Sequence, residues 1–98
     1  MSRITMETRR ESYREVWNVL AERHQQCLQG LTDLSGRATA NELAMHLYRA
    51  GTTPYFSRNY VHPRLHELIR MGFVEVVGKK KDEITGKSVA IYHLKEVA

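Results

Sequence analysis

The sequence predicts a mainly α domain with a small β-hairpin, an α+β class that two patterns of hydrophobic residues indicate. Apolar side chains recur at steps of three and four through most of residues 12–71, which is typical of amphipathic helices. After Gly72 they form two short runs, FVEVV and SVAIYHL, which are typical of strands. Because 98 residues allow one domain with a modest core, we expect three to four helices and a two- or three-stranded sheet in one domain over residues 12–98.

The first helical region is predicted over residues 12–34, after a polar and flexible arm over residues 1–11. Ser12 is a favoured N-cap residue, and Glu15 follows at the spacing of a capping box. No glycine or proline interrupts residues 12–29, so one continuous helix is favoured over two helices that break near residues 21–23. Its apolar series comprises Tyr13, Val16, Trp17, Leu20, His24, Cys27, Leu28, Leu31 and Leu34.

The second helix is predicted over residues 39–50. Ser35-Gly36 ends the first region, and residues 37–38 can form a short extended segment. Thr39 is then placed to cap a helix, with Glu42 at the capping-box position. Gly51 can end this helix in a left-handed conformation. Leu43, Ala44, Leu47 and Tyr48 form the predicted buried stripe.

The third helix is predicted over residues 58–71, with Ser57 or Asn59 at its start and Gly72 at its end. Pro63 lacks a backbone N–H, which costs nothing in a first turn but kinks a helix further inside. Regular helix is therefore expected to begin close to Asn59, after a looser turn. Val61, Leu65, Leu68 and Ile69 form the inner face.

A hairpin is predicted over residues 73–94, with strands at residues 73–77 and 88–94. The connection GKKKDEITGK has a glycine at its beginning and another near its end, and it is too long for a two-residue turn. The hairpin should therefore carry a protruding, lysine-rich tip.

Composition and charge limit the function classes. Hydrophobic residues make up 42% and charged residues 27% of the chain, the balance of an ordinary globular protein. Apolar stretches are too short for a membrane span, no secretory signal is evident, and Cys27 cannot form an internal disulfide, so we expect a cytoplasmic protein. The net charge of +4 comes from clustered basic residues, an arrangement that attracts polyanions. These clusters comprise Arg3, Arg9, Arg10, Arg14, Arg58, Arg64, Lys79, Lys80, Lys81 and Lys87.

The segment TANELAMHL and the segment RNYVHPRLHELIRMGFVEVVGKKKDEITGKSVAIYHL resemble the winged helix-turn-helix DNA-binding family. The similarity is to small phage and bacterial members with a pattern like P-R-L-x-E-L-x-x-x-G ahead of a basic wing, and it covers residues 35–94. The connection AGTTPYFS is longer than the usual turn. The resemblance implies binding of double-stranded DNA, with the third helix in the major groove and the wing along the minor groove or backbone. It implies a small transcriptional regulator, found at the nucleoid when bound to DNA.

Side chains on the outward side of the third helix are candidates for contact with DNA. Asn can pair with adenine and Arg with guanine, so Asn59 and Arg58 are candidates for base edges, supported by His62 and His66. The alternative is that Arg58 and Asn59 only cap the helix. Arg70 suits a phosphate better, Tyr60 suits either a phosphate or cover of the core, and Arg64 is expected to pair with Glu67 or Glu42.

The lysines of the predicted wing, Lys79, Lys80, Lys81 and Lys87, are candidates for phosphate contact. Each would release a counterion and add about 0.9 to the salt-dependence slope of DNA binding. The alternative is a solvated loop whose charge is partly offset by Asp82 and Glu83.

The N-terminal apolar set Tyr13, Val16, Trp17 and Leu20 exceeds what a minimal core needs. If these side chains pack on their own domain, the protein is a monomer. If they are exposed, they form a homodimer interface that sets two recognition helices at a fixed spacing.

Catalysis and cofactors find no support in the sequence. The pairs His24 with Cys27 and His62 with His66 each have helical spacing, but neither has an evident second half of a zinc site. No phosphate-binding glycine loop or nucleophile elbow is present, so we expect no enzyme activity, no cofactor and no small-molecule substrate. The alternative function is a winged-helix module that binds protein in a phage or bacterial replication or packaging complex.

Overall fold

The structure, a computed structural model, describes residues 20–95 and has the predicted α+β class. Within these residues, the chain forms three helices and a three-stranded antiparallel sheet with the strand order β1-β3-β2, in which β1 lies between the first and second helices in sequence. The elements are α1 (Glu22–Asp33), β1 (Arg37–Ala38), α2 (Ala40–Arg49), α3 (Arg58–Met71), β2 (Val74–Lys81) and β3 (Ser88–Leu94). The predicted arm over residues 1–11 and the cap at Ser12 lie outside the described residues.

Helix α1 begins at Glu22, so the prediction of one continuous helix through residues 21–23 is wrong. Ala21 is the N-cap and has an extended backbone, with ψ at 151°. The Gln25 side chain stabilises this start, because its Nε2 donates to the Leu20 carbonyl over 3.2 Å. Among the described residues, no side chain caps the N–H groups of this first turn, and neither a glycine nor a proline marks the extended residue in the sequence.

Helix α2 has the start and the end that the sequence predicts. The Glu42 N–H donates to Thr39 Oγ1 over 3.1 Å, and the Thr39 N–H donates to Glu42 Oε1 over 2.9 Å, which completes the capping box. Gly51 takes the left-handed conformation, with φ at 77°. Ahead of α2 in the chain, β1 is the short extended segment expected at residues 37–38.

Helix α3 spans the predicted residues, with Ser57 as N-cap and Gly72 in the left-handed conformation at its end. Pro63 lies inside the helix, five residues after its start, and cannot donate to the Asn59 carbonyl. Because Asn59 is exposed, water can satisfy that carbonyl.

The hairpin differs most from expectation. Strand β2 continues through Lys81 and pairs with β3 as far as Ser88, so the protruding tip is shorter than predicted and comprises residues 82–87. Three of the four wing lysines therefore lie on a strand and not in a loop. A β-bulge between Val76 and Gly78 shifts the pairing register.

The core lies between the three helices and one face of the sheet. Gly30 allows α1 and α2 to approach closely, because a Cβ there would lie 2.6 Å from Leu43 Cδ1. None of the helices within residues 20–95 is long and apolar enough to cross a membrane. The buried apolar side chains are Cys27, Leu28, Leu31, Ala38, Ala40, Leu43, Ala44, Leu47, Val61, Leu65, Leu68, Val74, Tyr92 and Leu94.

Candidate nucleic-acid interface

The outer face of α3 is a row of exposed polar side chains. Val61, Leu65 and Leu68 are fully buried and define the inner side of the helix. At 100° per residue, the opposite side carries Asn59, Pro63, His66 and Arg70, and all four are exposed. The predicted orientation of the helix is therefore confirmed.

The hairpin lies against one flank of α3. The His66 ring lies 6.3 Å from the ring of Tyr92 on β3 and 4.6 Å from the His62 ring, measured between centroids. A groove of about 200 Å³ separates this flank from β3 and the start of α2. Its walls comprise Ala40, Asn41, Arg58, His62, Val89, Ala90 and Tyr92. The predicted DNA-contact residues Arg58, His62 and His66 thus lie on the side that faces the hairpin.

The groove carries a cation at neutral pH. The Arg58 guanidinium has no hydrogen bond or ion pair with any of residues 20–95, so it can bind an anion. Burial lowers the pKa of His62, and the charges of His66 and Arg58 lower it further. Burial raises the pKa of Tyr92, although Arg58 opposes this shift. His62 is therefore neutral near pH 7, and Arg58 supplies the positive charge.

The other flank of α3 faces α1 and has its polar groups paired. The Tyr60 hydroxyl donates to Gln26 Oε1, and the Arg23 guanidinium lies over the Tyr60 ring at 5.1 Å. Tyr60 is partly buried and packs against the core, which is one of the two roles expected for it.

His24 and Arg64 share one carboxylate on this flank. Glu67 Oε1 lies 2.8 Å from His24 Nε2 and 3.4 Å from Arg64 Nη1, so the predicted Arg64–Glu67 pair is confirmed. The hydrogen bond from His24 is the main cause of a lowered pKa of Glu67; burial opposes it, and the charge of Arg64 lowers the pKa further.

The wing lysines differ in their partners. Lys80 Nζ lies 2.5 Å from Glu42 Oε2, in the capping box of α2. This bond raises the pKa of Lys80. Burial tends to raise the pKa of Glu42, but the bond from Lys80 contributes to a pKa that is lowered overall. The side chains of Lys79, Lys81 and Lys87 are exposed and have no hydrogen bond or ion pair within the described part of the chain.

The hairpin tip is organised around a buried carboxylate that the sequence reasoning treated only as a counter-charge. Asp82 is 5% exposed, and its Oδ2 accepts from Asn41 Nδ2 over 3.0 Å and from Thr85 N and Oγ1 over 2.8 Å each. Burial opposes ionisation, but these donors lower the pKa of Asp82. The pattern Asp-x-x-Thr-Gly is a turn signal that predicts the Thr85 bonds. The bond to Asn41 joins residues 41 positions apart and has no local signal.

The predicted dimer interface lies mostly outside the described residues, which include only Leu20 of its four members. Leu20 is partly buried and packs against the core of its own domain. Tyr13, Val16 and Trp17 are not described, and neither are the basic residues Arg3, Arg9, Arg10 and Arg14.

The two spaced pairs considered for metal have other environments. His24 binds Glu67, and Cys27 is fully buried, which raises its pKa to about 12 despite the nearby Arg64 charge. Residues 20–95 contain no group of three or more His, Cys, Asp or Glu side chains that could hold a metal ion.

No family model, no curated protein sequence and no solved structure is significantly similar to this chain. The geometry of the α3 surface and of the hairpin therefore carries the functional argument.

Proposed function

We propose that this protein is a winged-helix protein that binds double-stranded DNA and acts as a small transcriptional regulator. The single observation behind this proposal is the juxtaposition of the exposed face of α3 with the basic hairpin. His66 reaches Tyr92 on β3, and Arg58 and His62 share a groove with Ala90 of the same strand. A duplex that received α3 in its major groove would then have its adjacent backbone beside the hairpin.

The order of elements supports the same proposal. A helix, a short strand, two helices and a hairpin, with β1 paired to β3 at the edge of the sheet, are compatible with a winged helix. The family resemblance of residues 35–94 agrees with this order. In such a fold the β2–β3 hairpin is the wing.

The proposed contacts with DNA are of two kinds, contacts with base edges and contacts with phosphates. Asn59 and His66 are on the exposed face and can donate to and accept from base edges, whereas Arg58 lies at the groove and can reach a base or a phosphate. Arg70, near the end of α3, suits a phosphate. The lysines on the wing add charge that attracts any sequence equally.

Titration of a labelled 24-base-pair duplex of mixed sequence, followed by fluorescence anisotropy at several salt concentrations, tests the proposal. Log K should fall linearly with log salt, with a slope of about −0.9 for each phosphate contact. Arg70→Ala should weaken binding, whereas Arg49→Ala is a matched control, because Arg49 lies at the end of α2 and outside the α3 groove. Absence of salt-sensitive binding at micromolar protein would contradict the proposal.

Sequence discrimination requires a second comparison, on a duplex selected from random DNA. Arg58→Ala combined with Asn59→Ala should reduce the preference for the selected duplex over a scrambled one. Lys79→Ala combined with Lys81→Ala should weaken binding to both duplexes alike. Equal loss of preference in both variants would contradict this division between base and phosphate contacts.

A second candidate function is recognition of a protein partner, as part of a replication or packaging complex. The observation that favours it is the exposure of Val76 and Val77, at 52% and 45%, on the outer edge strand of the sheet. An unpaired strand edge with apolar side chains can accept a strand from another protein. Sedimentation of the protein with and without duplex separates the two candidates, because only the DNA-binding candidate predicts a faster-sedimenting complex with duplex.

A further inference from the structure

The β-bulge in β2 determines which lysines face α3. Residues that pair across two strands share a face of the sheet, and successive residues of a strand alternate between faces. Val76 pairs with Tyr92 on the core face, so a regular strand would place Gly78 and Lys80 on that same face. The bulge adds one residue, Val77, and reverses this assignment.

The observed register places Lys79 opposite Ala90 and Lys81 opposite Ser88, on the face of the sheet that carries Tyr92. Ala90 and Tyr92 line the groove beside α3. Lys80 pairs with Val89 and lies on the other face, where its ammonium group meets Glu42. The lysine run is therefore divided into two side chains directed to the α3 side and one directed to α2.

The contact of Lys80 with Glu42 attaches the hairpin to the capping box of α2. Glu42 accepts from the Thr39 N–H and from Lys80, and it can bind both because its two carboxylate oxygens are used separately. If Lys80 turned to a phosphate, Glu42 would lose its cation. Lys80 consequently gains less from DNA than a lysine that is unpaired in the free protein.

The second attachment is the hydrogen bond between Asn41 and Asp82. Both side chains are buried, at 7% and 5% exposure, in a region of the surface where most polar side chains are solvated. Asp82 also closes the tip, because its N–H donates to the Lys87 carbonyl and its carbonyl accepts from the Gly86 N–H, each over 2.8 Å. Asp82 thus shapes the tip through its backbone and joins the tip to α2 through its carboxylate.

We propose that Asn41 and Asp82, assisted by Glu42 and Lys80, are positioning residues that hold the wing against α2, so that Lys79 and Lys81 make its phosphate contacts. This inference rests on the proposed DNA binding and adds a division of labour within the wing. A hairpin held in place before binding loses less conformational freedom when DNA arrives.

The first test compares the salt dependence of DNA binding for two sets of variants. Lys79→Ala with Lys81→Ala should lower the magnitude of the salt slope by about 1.8, since each phosphate contact contributes about 0.9. At 0.15 M salt the same relation predicts about fivefold weaker binding for each contact, or roughly 30-fold for both. Lys80→Ala should leave the slope nearly unchanged, because Lys80 makes no phosphate contact and the bond between Asn41 and Asp82 still holds the wing. A fall equal to that of Lys79→Ala alone would overturn the division.

The second test breaks and restores the attachment to α2. Asn41→Asp places a second carboxylate beside that of Asp82, and the repulsion should break the attachment. We expect weaker DNA binding and a fall in the magnitude of the salt slope up to that expected for Lys79→Ala with Lys81→Ala. Asn41→Asp combined with Asp82→Asn exchanges donor and acceptor and removes the repulsion between the two carboxylates. It should restore much of both values, because the amide at position 82 can donate to position 41 and accept from Thr85 with different atoms after it rotates. A role in folding alone would lower the folded fraction in Asn41→Asp and leave the salt slope unchanged.

A combination of the two tests measures coupling. If the attachment acts by placing the lysines, Lys79→Ala with Lys81→Ala in the Asn41→Asp background should cost little more than either change alone. Full additivity would show that Asn41 acts by another route and would overturn the proposal. Urea unfolding of each variant identifies any that lose binding because they unfold.

A measurement without DNA separates this inference from the proposed function. Amide hydrogen exchange at Thr85 and Gly86 should quicken in Asn41→Asp and return in the exchanged pair, since both amides donate to Asp82. If the wild type fails to bind any duplex, the DNA-binding proposal and the lysine assignment both fail, while exchange still reports on the attachment. If the wild type binds and the exchanged pair rescues nothing, only the positioning role fails.

Discussion

The two flanks of α3 differ in how far the protein itself satisfies their polar side chains. On the flank that faces α1, Tyr60, Arg64 and Glu67 all have partners within the domain. On the flank that faces the hairpin, Arg58 has none among residues 20–95, and His62 makes only a ring contact with His66. One flank stabilises the helix packing, and the other leaves its charge available for a ligand.

This comparison explains why two arginines six positions apart on one helix have different expected roles. Arg64 shares Glu67 with His24, so its charge is already compensated. Arg58 lies beside a histidine with a lowered pKa and a buried tyrosine, and these neighbours supply no anion. Basic composition alone does not distinguish them, whereas the partner of each charge does.

The largest expected effect comes from the buried stripe that both flanks share. Leu65 is fully buried, and Leu65→Ala should lower the free energy of unfolding by about 3 kcal/mol, because it loses apolar contacts and leaves a cavity. Urea or thermal unfolding measures this change. DNA affinity per folded molecule should stay nearly constant, and a large loss of affinity at full folding would indicate that the flanks are not independent of helix packing.

An intermediate effect is expected from the comparison of the two arginines. Arg58→Ala should weaken DNA binding about fivefold at 0.15 M salt, the effect of one lost phosphate contact, and leave stability nearly unchanged. Arg64→Ala should leave DNA affinity unchanged and lower stability slightly, as expected of a partly exposed ion pair. Anisotropy titration and urea unfolding of both proteins check this pair of outcomes. Equal loss of DNA affinity in the two variants would remove the distinction between the flanks.

The smallest expected effect is a pH dependence at His62. Its pKa in the folded protein is lower than in the unfolded chain, so the unfolded chain binds more protons and stability falls as the pH drops through the unfolded value near 6.5. A nearby phosphate would favour the imidazolium form, so DNA should raise this pKa and bind more tightly at lower pH. NMR titration of the His62 ring with and without duplex measures both shifts.

His62→Gln serves as the control for that titration, since glutamine keeps polarity and cannot be protonated. It should remove part of the pH dependence of both stability and DNA binding. The groups that face His62 are Arg58, His66, Asn41 and Tyr92. An unchanged pH profile in His62→Gln would assign the dependence to another group, such as His66.

Much of the helical part of the fold can be predicted because its signals are local. The bounds of α3, the capping box of Thr39 and Glu42, and the left-handed glycines at positions 51 and 72 depend on residues within one or two helical turns. The outward face of α3 then follows from the positions of its buried leucines. The start of α1 could not be predicted, because neither a glycine nor a proline marks the extended backbone at Ala21.

The candidate site was predictable in its residue types and less so in its arrangement. The basic and polar side chains of α3 and the lysine run are evident in the sequence, but a loop was expected where β2 continues to Lys81. The extension depends on pairing with residues 88–91, and the sequence gives no local indication of where that pairing ends. Tyr60 was assigned two roles because helical spacing places it at an edge, and only its contact with Gln26 distinguishes them.

The amino-acid sequence by itself determined the bounds of α2 and α3, the capping box of α2, the inner face of α3 and the clustering of positive charge, since each arises from residues close together in the chain. The tertiary structure decided which lysines face α3, which flank of α3 retains unpaired charge, and how the hairpin tip is attached to α2. These features depend on a β-bulge and on hydrogen bonds between residues 34 to 43 positions apart. Contacts across such distances form only when the whole domain packs, so no short stretch of sequence encodes them.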